Sequence, residues 1–178
     1  MRARGPTRAM ADLTLNERLQ PCLLDRLTDD DPDVQVESRE RRVMSLAQLR
    51  RAVLRDVEWL FNAANKDNTG EYDDFPSVKA SVLNYGMPDL CGVSVMSLAE
   101  EDLERMVRET LERFEPRLII GSTRVRVTKG EKDQAGQTSL TLEIEGDLHA
   151  NPIPEALFLR TSLDLETGRC MLQEGSRG

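Results

Sequence analysis

Beyond Pro116 the hydrophobic period changes from the 3.6 of a helix to the 2 of a strand, and the two alternating runs that follow fit one another in a single register. Val125 and Val127 alternate with Arg124, Arg126 and Thr128, while Leu140, Leu142 and Ile144 alternate with Thr141, Glu143 and Glu145. If Arg126 faces Glu143, then Arg124 faces Glu145, Val125 faces Ile144 and Val127 faces Leu142. That register puts opposite charges on one face and aliphatics on the other, and a slip of one residue would lose both. The spacing therefore predicts a hairpin, with Gly130 and Gly136 in the connecting loop. After the turn at Asn151-Pro152-Ile153-Pro154, Leu157, Leu159, Thr161, Leu163 and Leu165 read as the inner face of a third strand. Arg160, on its outer face, is expected to reach Glu145, and Thr167-Gly168 to end the strand.

Ahead of the hairpin the period is helical. Ser45-Leu46-Ala47-Gln48 is a capping box, and Leu46, Leu49, Val53, Val57, Leu60 and Phe61 recur on one face behind it. Trp59 falls on the opposite side with Gln48 and Arg55, where either the N-terminal arm or a partner protein would cover it. Asn62 to Asp74 reads as a loop, turning at Asn68-Thr69-Gly70. Phe75-Pro76 opens a short helix with Val78, Val82 and Tyr85 on one side, closed by Gly86 and Pro88. A second capping box, Ser97-Leu98-Ala99-Glu100, starts a helix that buries Leu103, Met106, Val107, Leu111 and Phe114. That helix must stop at Glu115-Pro116, because proline disfavours helical geometry in the residue before it.

The expected fold is α+β: helices packed on one face of a three-stranded antiparallel β-meander, with an N-terminal arm. Residues 1–40 read as the arm, partly disordered, 41–168 as a single domain and 169–178 as a tail. In the arm, Leu19, Leu23, Leu24 and Leu27 form a short apolar helical face that ends at Asp29-Asp30-Asp31-Pro32-Asp33. The acidic run lacks the ligand spacing and glycine of a calcium loop.

Composition narrows the function. With 24 Lys and Arg against 32 Asp and Glu, the 178-residue chain carries a formal charge of -8, which disfavours bulk binding to nucleic acid. No stretch approaches the ~20 apolar residues that span a bilayer, and Arg2, Arg4 and Arg8 precede no apolar run of a secretory signal. Cys22, Cys91 and Cys170 are odd in number and far apart, which fits free thiols in a reducing compartment. His149 is the only histidine, so neither the usual zinc ligand set nor the usual general base is at hand. No metal site, no cofactor and no catalytic residue is expected.

One short run stands out, Phe114-Glu115-Pro116-Arg117-Leu118, at the junction of the last helix and the sheet. A Glu and an Arg two apart across a proline are expected to be held extended, projecting on a rigid elbow. Each charge could pair within the domain and seal the helix–sheet corner, the reading composition favours. Alternatively the pair could meet a partner, since the planar Arg fork suits carboxylates.

Several fragments in order resemble the TssE family, the small baseplate wedge subunits of the bacterial type VI secretion system, related to wedge proteins of contractile phage tails often labelled lysozyme-like. They are Leu23-Leu24-Asp25-Arg26-Leu27, Ser45-Leu46-Ala47-Gln48-Leu49-Arg50 and Val82-Leu83-Asn84-Tyr85-Gly86. Phe114-Glu115-Pro116-Arg117-Leu118 and Leu159-Arg160-Thr161-Ser162-Leu163-Asp164 complete the set. The resemblance implies a non-enzymatic, cytoplasmic subunit in a baseplate docked on the inner-membrane complex, without membrane insertion of its own. It implies a wedge shared with TssF, TssG and TssK, and a start point for the TssB–TssC sheath. The family's Glu-Pro-Arg run maps onto Glu115, Pro116 and Arg117 and is associated there with contacts to other wedge proteins. Those three residues and Trp59 are therefore the expected partner-binding set, and Glu115→Ala or Arg117→Ala is expected to weaken assembly while leaving folding largely intact. Taken literally, the lysozyme-like label would make Glu115 the acid of a peptidoglycan hydrolase. The nearby Arg117 argues against that, since a cation beside a carboxylate favours its ionised form, the opposite of what a general acid needs.

Overall fold

The hairpin forms in the expected register. In a computed structural model, β1 (Arg124–Lys129) and β2 (Ser139–Leu148) pair antiparallel with Arg124 opposite Glu145, Val125 opposite Ile144, Arg126 opposite Glu143 and Val127 opposite Leu142. The structure describes residues 21–28, 33, 44–67, 70–90, 99–129, 139–150, 153–164 and 169–175. Arg2, Arg4, Arg8, Leu19, most of the acidic run, Asn68-Thr69, Cys91, Ser97, Gly130, Gly136, Asn151-Pro152, Leu165 and Thr167-Gly168 lie outside the described residues.

The chain divides into two units, Met1–Ser45 and Leu46–Gly178. In the first, α1 (Leu23–Leu27) is a single turn of helix whose Leu23, Leu24 and Leu27 are exposed. In the second, β3 (Glu155–Asp164) pairs with β2, and Cys170–Glu174 adds β4 on its far side, giving a four-stranded antiparallel sheet in the order β1-β2-β3-β4. The sheet thus has one strand more than expected, because residues read as a tail continue the meander. Cys170 faces Leu163 and Leu172 faces Thr161 on the inner side, while Met171 is turned outward and exposed. With only two apolar residues on that side, and Met171 breaking the apolar/polar alternation, the strand leaves no period-2 signal in the sequence. The β2–β3 register also corrects one cross-strand pair: Arg160 sits opposite Glu143, with Nε 3.7 Å from Oε1, and Phe158 takes the place opposite Glu145.

One sheet face is buried, lined by Val125, Val127, Leu140, Leu142, Ile144, Leu148, Leu157, Leu159 and Leu163. Two amphipathic helices supply the other half of the core. α2 (Leu46–Phe61) turns inward Leu49, Ala52, Val53, Val57, Leu60 and Phe61, and α4 (Glu100–Phe114) turns inward Leu103, Val107, Thr110 and Leu111. Periodicity located both apolar faces, except that Leu46 is exposed and Met106 and Phe114 are only half-buried, and α4 begins later than the capping box implied. Its N-cap is Ala99, which makes no side-chain cap bond, and Glu100, Glu101 and Asp102 complement the helix dipole in the first turn instead. α4 and the residue just after α2 each send a polar side chain to an outer strand. The Val127 N–H donates to Glu104 Oε1 at 3.1 Å, and Asn62 grips Cys170 from both sides, accepting from its N–H at 3.0 Å and donating to its carbonyl at 2.9 Å.

The connector from α2 to α4 departs most from expectation. Instead of one short helix it holds α3 (Pro76–Lys79) and a separate 3-10 turn, Val82–Asn84. Val82 is exposed rather than packed beside Val78. The residue that is buried in this turn is Asn84, at 2% exposure. Its carbonyl oxygen accepts from the N–H groups of Lys66 and Asp67 at 3.2 Å each, and its amide donates to the Lys79 carbonyl at 3.1 Å.

Candidate functional site

α4 ends at Phe114, and Pro116 then sits at the second position of a β-turn closed by the Leu118 N–H donating to the Glu115 carbonyl at 3.1 Å. Glu115 and Arg117 therefore converge instead of projecting in extended backbone. The guanidinium lies side-on to the carboxylate: Nε donates to Oε1 at 2.6 Å, and Nη2 donates to Oε2. The Arg117 N–H adds a third bond to Oε1 at 3.2 Å. Nη2 also reaches Asp56 Oδ2 on α2 at 2.7 Å. Glu115 is 3% exposed, so this bidentate pair is buried at its acidic end and opens toward solvent at its basic end.

The turn is fixed on its far side as well. The His149 N–H donates to the Arg117 carbonyl and the Ile119 N–H to the Asp147 carbonyl, both at 2.8 Å, so Leu118 pairs across from Leu148 as a short extension of the sheet. The guanidinium thus ties α2 to the end of α4, and the backbone of the same turn ties both to the end of β2. Burial works against the charge of Arg117, but the hydrogen bond and field of Glu115, joined by those of Asp56, outweigh it and hold the group above its ordinary value. Tyr85 closes the cluster from the connector. Its ring meets Phe114 edge-on at 5.3 Å, and burial, then the charges of Asp56 and Glu115, push its phenol up.

The network continues to the surface. Asp56 Oδ1 accepts from Arg55 Nε at 2.8 Å, and the Arg55 guanidinium lies over the Trp59 ring, 5.2 Å from its centroid. Trp59 is 52% exposed and Pro116 is exposed. All four residues expected at a partner surface are accordingly linked: Glu115 and Arg117 through Asp56 and Arg55 to Trp59, with Pro116 at the turn between the two charges. Asp56 is the member the sequence did not single out. Its signal was an aspartate in a helix interior, next to the buried Val57, where an acid is a poor helix former without a partner.

Both oxygens of Glu115 are engaged by Arg117 and its side chain is buried. A glycosidase acid has to reach the substrate's leaving oxygen, so this geometry disfavours the hydrolase reading. Among the described residues no group of His, Cys, Asp and Glu is placed to hold a metal, and no helix is long and apolar enough to cross a membrane.

A second charged cluster stiffens the connector. Lys79 Nζ bridges Asp67 Oδ2 at 2.9 Å and Asp73 Oδ1 at 2.6 Å. The hydrogen bond from Lys79 holds the Asp67 carboxyl below its ordinary value. A lowered folded value contributes stability above the unfolded pKa of 3.8, and loses it as pH falls through the folded one. Asp67→Asn is therefore expected to melt below wild type at neutral pH, with the gap closing as the pH falls below 3.8 and through the lowered folded value. Equal gaps at both pH values would show that the ionised pair contributes nothing.

The family model described as baseplate wedge protein gp25 matches residues 47–153, from the start of α2 to the turn after β2. No curated protein and no solved structure gave a match. The matched span contains Asp56, Glu115, Pro116 and Arg117, together with the whole β1–β2 hairpin, and the chain belongs to the baseplate wedge protein gp25 family.

Proposed function

We propose that the chain is the TssE-like wedge subunit of a type VI secretion baseplate, a non-enzymatic scaffold that binds TssF, TssG and TssK and gives the TssB–TssC sheath its first point of attachment. The observation that carries the proposal is membership of the wedge family across the span holding the Glu115–Arg117–Asp56 cluster. Family membership makes it a structural baseplate protein that contacts other baseplate proteins, and the ordered fragments from Leu23 to Asp164 narrow the family to its type VI branch. On this reading it works in the cytoplasm, at a baseplate docked on the inner-membrane complex.

The cluster suits an interface because it is already ordered. Arg117 spends Nε and Nη2 on Glu115 and Asp56, while Nη1 makes no hydrogen bond among the described residues. A partner carboxylate or carbonyl can meet Nη1 without the entropy cost of fixing a free arginine. Trp59, with Arg55 on its ring, supplies an aromatic anchor beside it. For the sheath, β1 and β4 are the outer strands, and each offers backbone groups beside the side chain that plugs it to a strand added in line.

A pull-down from a type VI-positive lysate tests the proposal. Tagged wild type is expected to recover TssF, TssG and TssK, and Trp59→Ala, at an exposed position, to recover less while melting like wild type. Recovery of none of the three by well-folded wild type would sink the assignment.

A further inference from the structure

The 3-10 turn Val82–Asn84 is inside out. Its polar residue, Asn84, is 2% exposed, whereas its aliphatics, Val82 and Leu83, are 78% and 68% exposed. Single exposed aliphatics are common and need no explanation, but these two are adjacent and held rigidly. The Leu83 N–H donates to Ser81 Oγ at 3.2 Å, and the three bonds of Asn84 fasten the turn to Lys66, Asp67 and Lys79. Gly86, φ 117°, then brings the backbone back against Ala63 and Asn65. The fold thus uses an asparagine to hold the turn and leaves its aliphatics outside the core. One short helix earlier, Phe75 is 59% exposed.

The charges carried by the connector say what would fit the turn. Glu71, Asp73 and Asp74 are exposed on the same connector, and its Lys79 is already shared by Asp67 and Asp73. Arg113 donates to the Lys79 carbonyl and lies over Phe114, and Lys66 is exposed on the far arm of the connector. The side of the connector leading into α3 is therefore acidic. We propose that Val82 and Leu83 form a preformed knob that docks into an apolar pocket of another protein rimmed by Lys or Arg. A second copy of this chain would set acid against acid, and an anionic membrane surface would repel the same carboxylates. The knob is a contact separate from the Arg117 cluster, and it rests on the reading of the chain as a wedge subunit.

The test uses the full chain with purified TssF, TssG and TssK as probes, measuring affinity for wild type, Val82→Ser/Leu83→Ser, Glu71→Lys/Asp74→Lys and Trp59→Ala. The serine pair is expected to weaken binding to one probe at least about tenfold with an unchanged melting temperature, since well-packed apolar anchors dominate such contacts. The lysine pair is expected to weaken it several-fold at low salt, with the difference shrinking at high salt. Serine variants that bind within about twofold of wild type, while Trp59→Ala binds weakly, would overturn the knob and leave the wedge reading standing. Wild type that binds none of the probes would overturn both. Loss of self-association, or of vesicle flotation, in the serine variant with wedge binding intact would reassign the surface to a second copy or to lipid and overturn the proposal.

Discussion

Arg117→Ala is expected to lower the free energy of unfolding by about 3–5 kcal/mol, the range for removing one partner of a buried ion pair. The cost comes from what stays behind. Glu115 is 3% exposed and, among the described residues, all of its side-chain hydrogen bonds come from Arg117. Without the guanidinium, only the backbone N–H of residue 117 would remain among the described residues to serve the buried carboxylate. Asp56 suffers less, because Arg55 holds its other oxygen and it is partly exposed. Replacing both ends, as Glu115→Leu/Arg117→Met, removes the stranded charge and is expected to recover most of the loss. Urea unfolding of the two single variants and the double variant measures this directly. A loss below about 1 kcal/mol for Arg117→Ala would mean that water reaches Glu115 and that the pair is free for a partner. The expected result alters how the motif must be tested for assembly. A plain alanine would confound unfolding with a lost contact, whereas Arg117→Lys keeps the charge beside Glu115 and removes the free Nη1 edge.

The parts of this fold legible in the sequence are those with a period. The β1–β2 register followed from matching two faces at once, and the inward faces of α2, α4 and β3 from their spacing. What could not be read has no period. Asp56 joins Arg117 across 61 positions in sequence, and Asn62 joins Cys170 across 108. Such bonds depend on where helices land against the sheet, which no local pattern encodes. The Val82-Leu83-Asn84 turn misled for a related reason. Val78, Val82 and Tyr85 have helical spacing, but Asn84 gains more by serving three backbone groups than the aliphatics gain by burial, and the helix breaks to let it. Glu115 and Arg117 were found as a motif, but their convergence depended on Pro116 making a β-turn where extended backbone was expected.

Gly86→Ala is expected to destabilise the protein about as strongly, by roughly 3–5 kcal/mol, combining strain, clash and lost hydrogen bonds. At φ 117° a side chain is strained in any surroundings. Here the surroundings are also closed: a Cβ would lie 2.2 Å from the Ala63 carbonyl oxygen and 2.7 Å from its carbon, both backbone atoms with no rotamer by which to withdraw. The approach is tight because the Asn65 N–H donates to the Met87 carbonyl and the Met87 N–H to the Ala63 carbonyl, each at 2.8 Å. Making room means breaking that pair, and the connector it anchors carries Asn84, the exposed Val82 and Leu83, and Tyr85 of the Arg117 cluster. Gly121 provides the control. Its φ is also positive, at 88°, but a Cβ there meets nothing within 4 Å, so Gly121→Ala should cost only about 1 kcal/mol of backbone strain. For a protein of this size the difference corresponds to a fall in melting temperature of roughly 5–15 °C for Gly86→Ala beyond that of Gly121→Ala. Hydrogen exchange should show the amides of Asn65 and Met87 losing protection in the Gly86 variant alone. Equal shifts in the two alanine variants would mean that the connector opens without cost, and then the rigid presentation of Val82 and Leu83 would fail with it.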